Sequence, residues 1–177
     1  MITYILKYFA RFLVFATVQV LVLNSITLLD LMHPYLYIIF ILILPVHVPR
    51  WVLLTSAFVL GLIVDIFLGT PGIHAGASVL LAFLRNPFIR LFKPPENIST
   101  GVEPHIRVLG LGQFLLYCGL LTAIHHLFLY IIEAFNFGNV GFSLVNAVIN
   151  TAISLSLIIL TEFIFYYHST QADEPVR

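Results

Sequence analysis

The chain has 177 residues, 60% of them hydrophobic and only 9% charged, with eight basic side chains balanced by eight acidic ones. A soluble domain carries roughly a quarter charged residues, and at a mean hydropathy of +1.06 this chain could not cover itself with a wettable surface. A soluble domain and a basic nucleic-acid binder are excluded, the single Cys118 rules out a disulfide framework, and the bilayer is the expected solvent.

Lys7 and Arg11 precede the first long apolar run, Phe12 to Leu29. No small-x-small cleavage site follows, so the run reads as a retained helix rather than a signal. Pro34 suits the first turn of a second helix. That run, Tyr35 to Val48, is short and contains Pro45. At ~1.5 Å per residue it falls short of a ~30 Å hydrocarbon core unless it is extended, or kinked and sheltered by neighbours. A third run spans Trp51 to Leu68, and "GTPG" (69–72) turns the chain sharply. The fourth begins at Ile73, and Pro87 should kink or end it. Beyond that point Phe88 and Phe92 alternate with Arg90 and Lys93 as a foot on the membrane surface. Residues 94–106 form the clear polar loop, and two further runs span about 108–132 and 142–167.

The expectation is one integral-membrane domain, 1–177, an all-α bundle of six transmembrane helices at about 12–29, 34–48, 51–68, 73–92, 108–132 and 142–167. Six crossings put both termini on one side. With the N-terminus inside, Lys7, Arg11, Arg50, Arg85, Arg90, Lys93, Arg107 and Arg177 all fall inside, which is what the positive-inside rule asks of an N-in, C-in protein.

An ionisable group within a span must find a partner in the bundle. Asp65 lies near the outer end of the third helix, and His74 follows the turn at similar depth. Arg85 is roughly 15 Å deeper, so Asp65 should meet His74 or the backbone N–H groups of the turn. Ala57, Gly61 and Asp65 share one helix face, and Gly72 and Gly76 offer a similar small-residue face for close helix approach. His125 and His126 are about 100° apart on the fifth helix, so they should not face one site. Asn146, Asn150 and Ser154 share a face of the sixth and read as interhelical hydrogen-bonding groups. Arg85 should snorkel to the inner interface. There, with Arg90 and Lys93, it would meet anionic lipid or a cytosolic partner, while Glu162 meets Arg85, Arg107 or solvent. Asp65, His74 and one helix-five histidine fit a metal in ligand type, but nothing fixes their mutual distance; no metal, cofactor or catalytic residue is assigned. Phosphate-loop, HExxH, CxxC and nucleophile-elbow motifs are missing from the sequence.

The stretch Gly61, Leu62, Asp65, Phe67, Gly72, His74, Ala75 resembles the signature of the bacterial rod-shape-determining MreD family, and "HPYLYIIFILILP" with "PRW" (33–51) resembles a form seen in some members. The resemblance implies a non-enzymatic, multi-pass protein of the bacterial inner membrane that serves the cell-wall elongation machinery. It also implies a bitopic MreC-type partner, with peptidoglycan synthases and an MreB-type filament engaged indirectly. The fold would be similar to the substrate-binding subunits of energy-coupling-factor transporters, and the small-residue faces around Asp65 would be docking surfaces. A vitamin-like solute binder is the alternative, expected to show an outward cavity lined by His74, His125 or His126, and Asn150.

Overall fold

The computed structural model describes residues 2–25, 33–92, 101–134 and 140–172. Seven α-helices run in chain order: α1 (Ile2–Leu21), α2 (Ile38–Ile43), α3 (Arg50–Leu68), α4 (Ile73–Phe92), α5 (Ile106–Leu109), α6 (Leu111–Glu133) and α7 (Val140–Ala172). The described residues contain no strand. Among the described residues five helices are long and apolar enough to cross a membrane: Thr3–Ser25, Arg50–Leu68, Ile73–Phe92, Leu111–Glu133 and Gly141–Ile164.

The expected second span is not among them. Its only helix is the six-residue α2, buried on every side, flanked by non-helical backbone at 33–37 and 44–49. Proline explains the far end: Leu44 precedes Pro45 and is held at ψ 150°, outside the helical region. At the near end helix begins at Ile38 and not at Pro34, and side chains of other helices accept the N–H groups of Tyr35, Leu36 and Tyr37. Every residue from Tyr37 to Leu44 is at most 4% exposed. The chain therefore threads a broken element through the middle of the bundle.

The remaining helices enclose it. Hydrophobic burial drives little association in lipid, so helices adhere through close packing and polar contacts. α3 and α4 form the most extensive pair, with Leu53, Ala57, Leu60, Gly61, Val64 and Asp65 of α3 turned inward. A Cβ built on Gly61 would lie 2.6 Å from Ala75 Cα and 2.6 Å from the His74 carbonyl oxygen. Glycine is what lets these two backbones meet. α6 buries an unbroken stripe from Phe114 through Tyr117, Cys118, Leu121, His125 and Leu129.

The first helix shifts by whole turns, and the fourth keeps its expected bounds, 73–92, straight through its proline. α1 begins about ten residues before Phe12, so Lys7 and Arg11 lie within it. α4 runs through Pro87 to Phe92 without ending, and Ile89 is buried. The 88–92 foot is thus the last turn of α4; Lys93 lies outside the described residues.

Candidate functional site

Three polar assemblies stand out, two at the end of the bundle marked by Asp65 and one at the end marked by Glu103. The first locks the α3–α4 hairpin. α3 terminates at Gly69, whose N–H donates to the Asp65 carbonyl and whose left-handed φ of 70° brings the next N–H, of Thr70, to the same carbonyl at 3.1 Å, and Gly72 also has positive φ, 85°. These turns bring the first N–H groups of α4 over the Asp65 carboxylate. Oδ1 accepts the His74 N–H at 3.0 Å and the Thr70 hydroxyl at 2.9 Å, and Oδ2 accepts the Ala75 N–H at 2.9 Å. The acid thus caps a neighbouring helix, where two orphan donors and the positive end of the helix dipole stabilise its charge. Its partner is the His74 backbone, not the ring.

The His74 ring turns inward to the second assembly. The Tyr37 hydroxyl lies 3.2 Å from His74 Nδ1, 2.9 Å from His125 Nε2 and 3.4 Å from Ser78 Oγ. One phenolic proton can serve only one imidazole, so the other ring must present an N–H to the tyrosine oxygen. Tyr35 continues the cluster, its ring 5.0 Å from His74 and 5.5 Å from His126. His125 and His126 do meet one cluster, against expectation, with ring centroids 5.3 Å apart. Helical geometry does splay them; the broken segment brings two tyrosines and reaches both. His126 is held by the Thr122 carbonyl at 3.0 Å and approaches Thr151 and Ser154. The Ser154–His126 pair, 3.5 Å apart, is fully buried, and Ser154 Oγ already accepts the Tyr35 N–H.

Other interior polar groups, together with Ser154, hold the broken backbone. Gln19 Oε1 accepts the N–H groups of Leu36 and Tyr37 at 2.8 and 3.2 Å, and its amide donates to the Pro34 carbonyl at 3.1 Å. Asn150 Oδ1 accepts the His33 N–H at 2.6 Å. Past α2, Arg85 donates to the carbonyls of Leu42 and Leu44, and the Tyr117 hydroxyl donates to Leu42 at 2.9 Å. A non-helical stretch at membrane depth persists only where its freed N–H and C=O groups are satisfied from within the protein. Gln19, Arg85, Tyr117, Asn150 and Ser154 do that from four helices.

Several expectations are corrected by these positions. Arg85 does not snorkel to a lipid or cytosolic face; it is fully buried, because two carbonyls freed by Pro45 need a strong donor. Ala57, Gly61 and Asp65 are buried within the α3–α4 contact and Gly76 faces Phe128 of α6, whereas Gly72, in the turn, is exposed. Asn146 lines a cavity of about 530 Å³ at the Asp65 end with His33, Tyr35, Thr70, His74 and Glu133; His125, His126 and Asn150 do not line it. Arg90 is exposed. Gln19 escaped the sequence reading, although a lone amide inside an apolar run is the kind of signal that finds it.

The third assembly gathers around the 101–105 segment between spans, and draws Lys7, Tyr8 and Arg11 from α1 and Glu162 from α7. Glu103, 7% exposed, accepts hydrogen bonds from Lys7 at 2.8 Å, Tyr8 at 3.0 Å and Arg11 at 2.6 Å, and contacts His105 at 2.8 Å. The other ring nitrogen of His105 reaches Glu162 at 2.9 Å, and the Ile106 N–H also donates to Glu162. So Glu162 meets His105, where Arg85, Arg107 or solvent was expected. Burial opposes ionisation of Glu103, but hydrogen bonds from His105, Lys7 and Arg11 outweigh it and hold the carboxyl well below the usual range. Burial likewise opposes charge on His105, and hydrogen bonds to Glu103 and Glu162 push its pKa up to about 9. The protonated His105 bridges two acids and ties α1 to α7 through the 101–105 segment.

Among the described residues no group of three or more His, Cys, Asp or Glu side chains could hold a metal ion. Fold and polar interior define a multi-pass, all-helical membrane protein. No family model matches the chain, and neither a curated protein nor a solved structure matches it significantly.

Proposed function

We propose that the chain is a non-enzymatic membrane scaffold of the bacterial cell-wall elongation machinery, of the MreD type, working with a bitopic MreC-type partner in the inner membrane. One observation carries the reading: the residues that resemble the family signature form a single mechanical device. Gly61 sets the contact with Ala75, Asp65 caps His74 and Ala75, and Gly72 makes the turn. Gln19, Arg85, Tyr117, Asn150 and Ser154 hold backbone in place, which suits a fixed body. On this reading the broken segment supplies a sixth crossing, because it runs from the His33–Asn150 contact to the Val46–Val102 hydrogen bond at the other end. Both termini and the basic Glu103 end then lie in the cytosol. The partner's span has the outward faces of α1 and α7 open to it, the two least buried of the spans, and synthases and the cytosolic filament are engaged through that partner.

The test is co-purification from native membranes in mild detergent, with cell shape scored alongside. A bitopic wall-machinery protein should accompany the chain, and Gly61→Leu should reduce its recovery and round the cells. Normal recovery and normal rods with Gly61→Leu and Asp65→Ala would sink the proposal.

The 530 Å³ cavity at the Asp65 end favours a second reading, a solute-binding subunit resembling those of energy-coupling-factor transporters. It is the right size for a small ligand. A stoichiometric vitamin-like molecule in the purified protein would establish it, and ligand-free protein purified with an intact bitopic partner would dismiss it.

A further inference from the structure

We infer that a lipid-facing groove between α1 and the start of α3 is a binding site for one anionic phospholipid, with an acyl chain in the groove and the phosphate at Arg50. The groove holds about 460 Å³. One wall is the α1 face carrying Tyr4, Tyr8 and Phe12, and the other carries Leu44, Val48 and Val52. Phe12 and Phe40 close the floor edge to face, their ring centroids 5.4 Å apart. A helix ~10 Å across that rises ~1.5 Å per residue fills ~120 Å³ per residue, so this groove would hold only about four residues of one. It is too small to enclose a partner's span, and its volume suits one acyl chain.

Charge at the rim selects the lipid. Arg50, the first residue of α3, is exposed beside the groove-lining Pro49, as is His47. Among the described residues no acid pairs with Arg50. Lys7 on the α1 side remains 46% exposed while it binds Glu103. Glu103, two residues beyond the groove-lining Gly101, is neutralised by Lys7, Arg11 and His105. The mouth is therefore positive and the interior apolar, complementary to a phosphodiester above an acyl chain. Ser56, the deepest α3 residue lining the groove, is six positions beyond Arg50, which sets it ~9 Å below the rim. Its hydroxyl is turned back to the Leu53 carbonyl. This site shares no residue with the Arg90 edge of α4. It rests on the membrane reading but not on the wall-machinery reading, because its test needs no partner protein.

The test is native mass spectrometry of the full chain released from nanodiscs containing equal phosphatidylcholine and phosphatidylglycerol. The wild type should retain one phosphatidylglycerol at least fivefold more often than phosphatidylcholine. Arg50→Glu should abolish that preference, and Val52→Trp, which fills the groove without altering charge, should lower retention of both lipids at least threefold. Arg90→Gln, a charge loss elsewhere at the same end, should leave the preference intact. Equal retention of the two lipids, an unchanged preference in Arg50→Glu, or loss of preference in Arg90→Gln would overturn the site. So would a photocrosslinker at Val52 that captures a polypeptide in native membranes instead of lipid.

Discussion

Asp65 shows how one side chain can fix an element. Its two oxygens receive three donors, two of them N–H groups at the start of α4. Hydrogen bonds to a charged group contribute about 1.5–3 kcal/mol each, and orphaned buried donors add their own cost. Asp65→Ala should therefore lower stability by about 3 kcal/mol or more, and Asp65→Asn, which keeps one acceptor, by roughly half as much. Thermal unfolding in detergent reads both; an alanine variant within experimental error of wild type would refute the cap. Gly61→Ala acts by overlap, because the new methyl meets backbone that cannot swing aside. A loss of about 1–3 kcal/mol is expected from overpacking of this kind, and no loss would mean that α3 and α4 separate freely. Asp65 was legible in the sequence because an acid in an apolar run demands a partner. Arg85 misled for the same reason that makes it interesting. A cation near a helix end reads as snorkelling, and beside the Asn86 side chain its partners are the Leu42 and Leu44 carbonyls, which leave no mark in a sequence.

At the scale of elements, the broken segment depends on polar side chains from α1, α4, α6 and α7. Arg85→Leu would leave the Leu44 carbonyl without its donor and Leu42 with Tyr117 alone. Gln19→Leu would orphan two N–H groups and a carbonyl. Each should cost about 2–4 kcal/mol and raise hydrogen exchange at 36–44 before it does so in α3. Uniform exchange across both regions would show that these side chains do not act on the segment. The sequence made the second run too short to span and placed proline at both ends, but the rescue comes from residues up to 119 positions away. No local pattern carries that information. The five long helices, by contrast, announce themselves through length and hydropathy alone; α3 and α4 keep their expected bounds to within a residue, and the largest shift is at the start of α1.

For the whole molecule, the Glu103 cluster ties the first helix to the last through a segment outside the membrane, and this gives stability a pH window. His105 is raised from its ordinary 6.5 to about 9. Its contribution is full below pH 6.5 and fades as pH rises through about 9. Glu103 is depressed, so its contribution is present above the ordinary carboxylate range and is lost as pH falls below it. The melting temperature should be highest between about pH 5 and 6.5, and His105→Gln should remove the alkaline decline. A wild-type alkaline limb that survives the substitution would assign it elsewhere. This cluster was invisible beforehand because it joins residues 7, 103, 105 and 162 across the whole chain, and only the fold brings them together.

The scaffold account requires a body that does not open, and that rests on the buried segment from Tyr37 to Leu44. Hydrogen–deuterium exchange of the full chain in lipid nanodiscs measures this directly. The account predicts that amides of α2, Ile38–Ile43, exchange as slowly as the interior of α3 and α4. Exchange within seconds, at the rate of a surface loop, would show a mobile gate at the centre of the bundle and would contradict it.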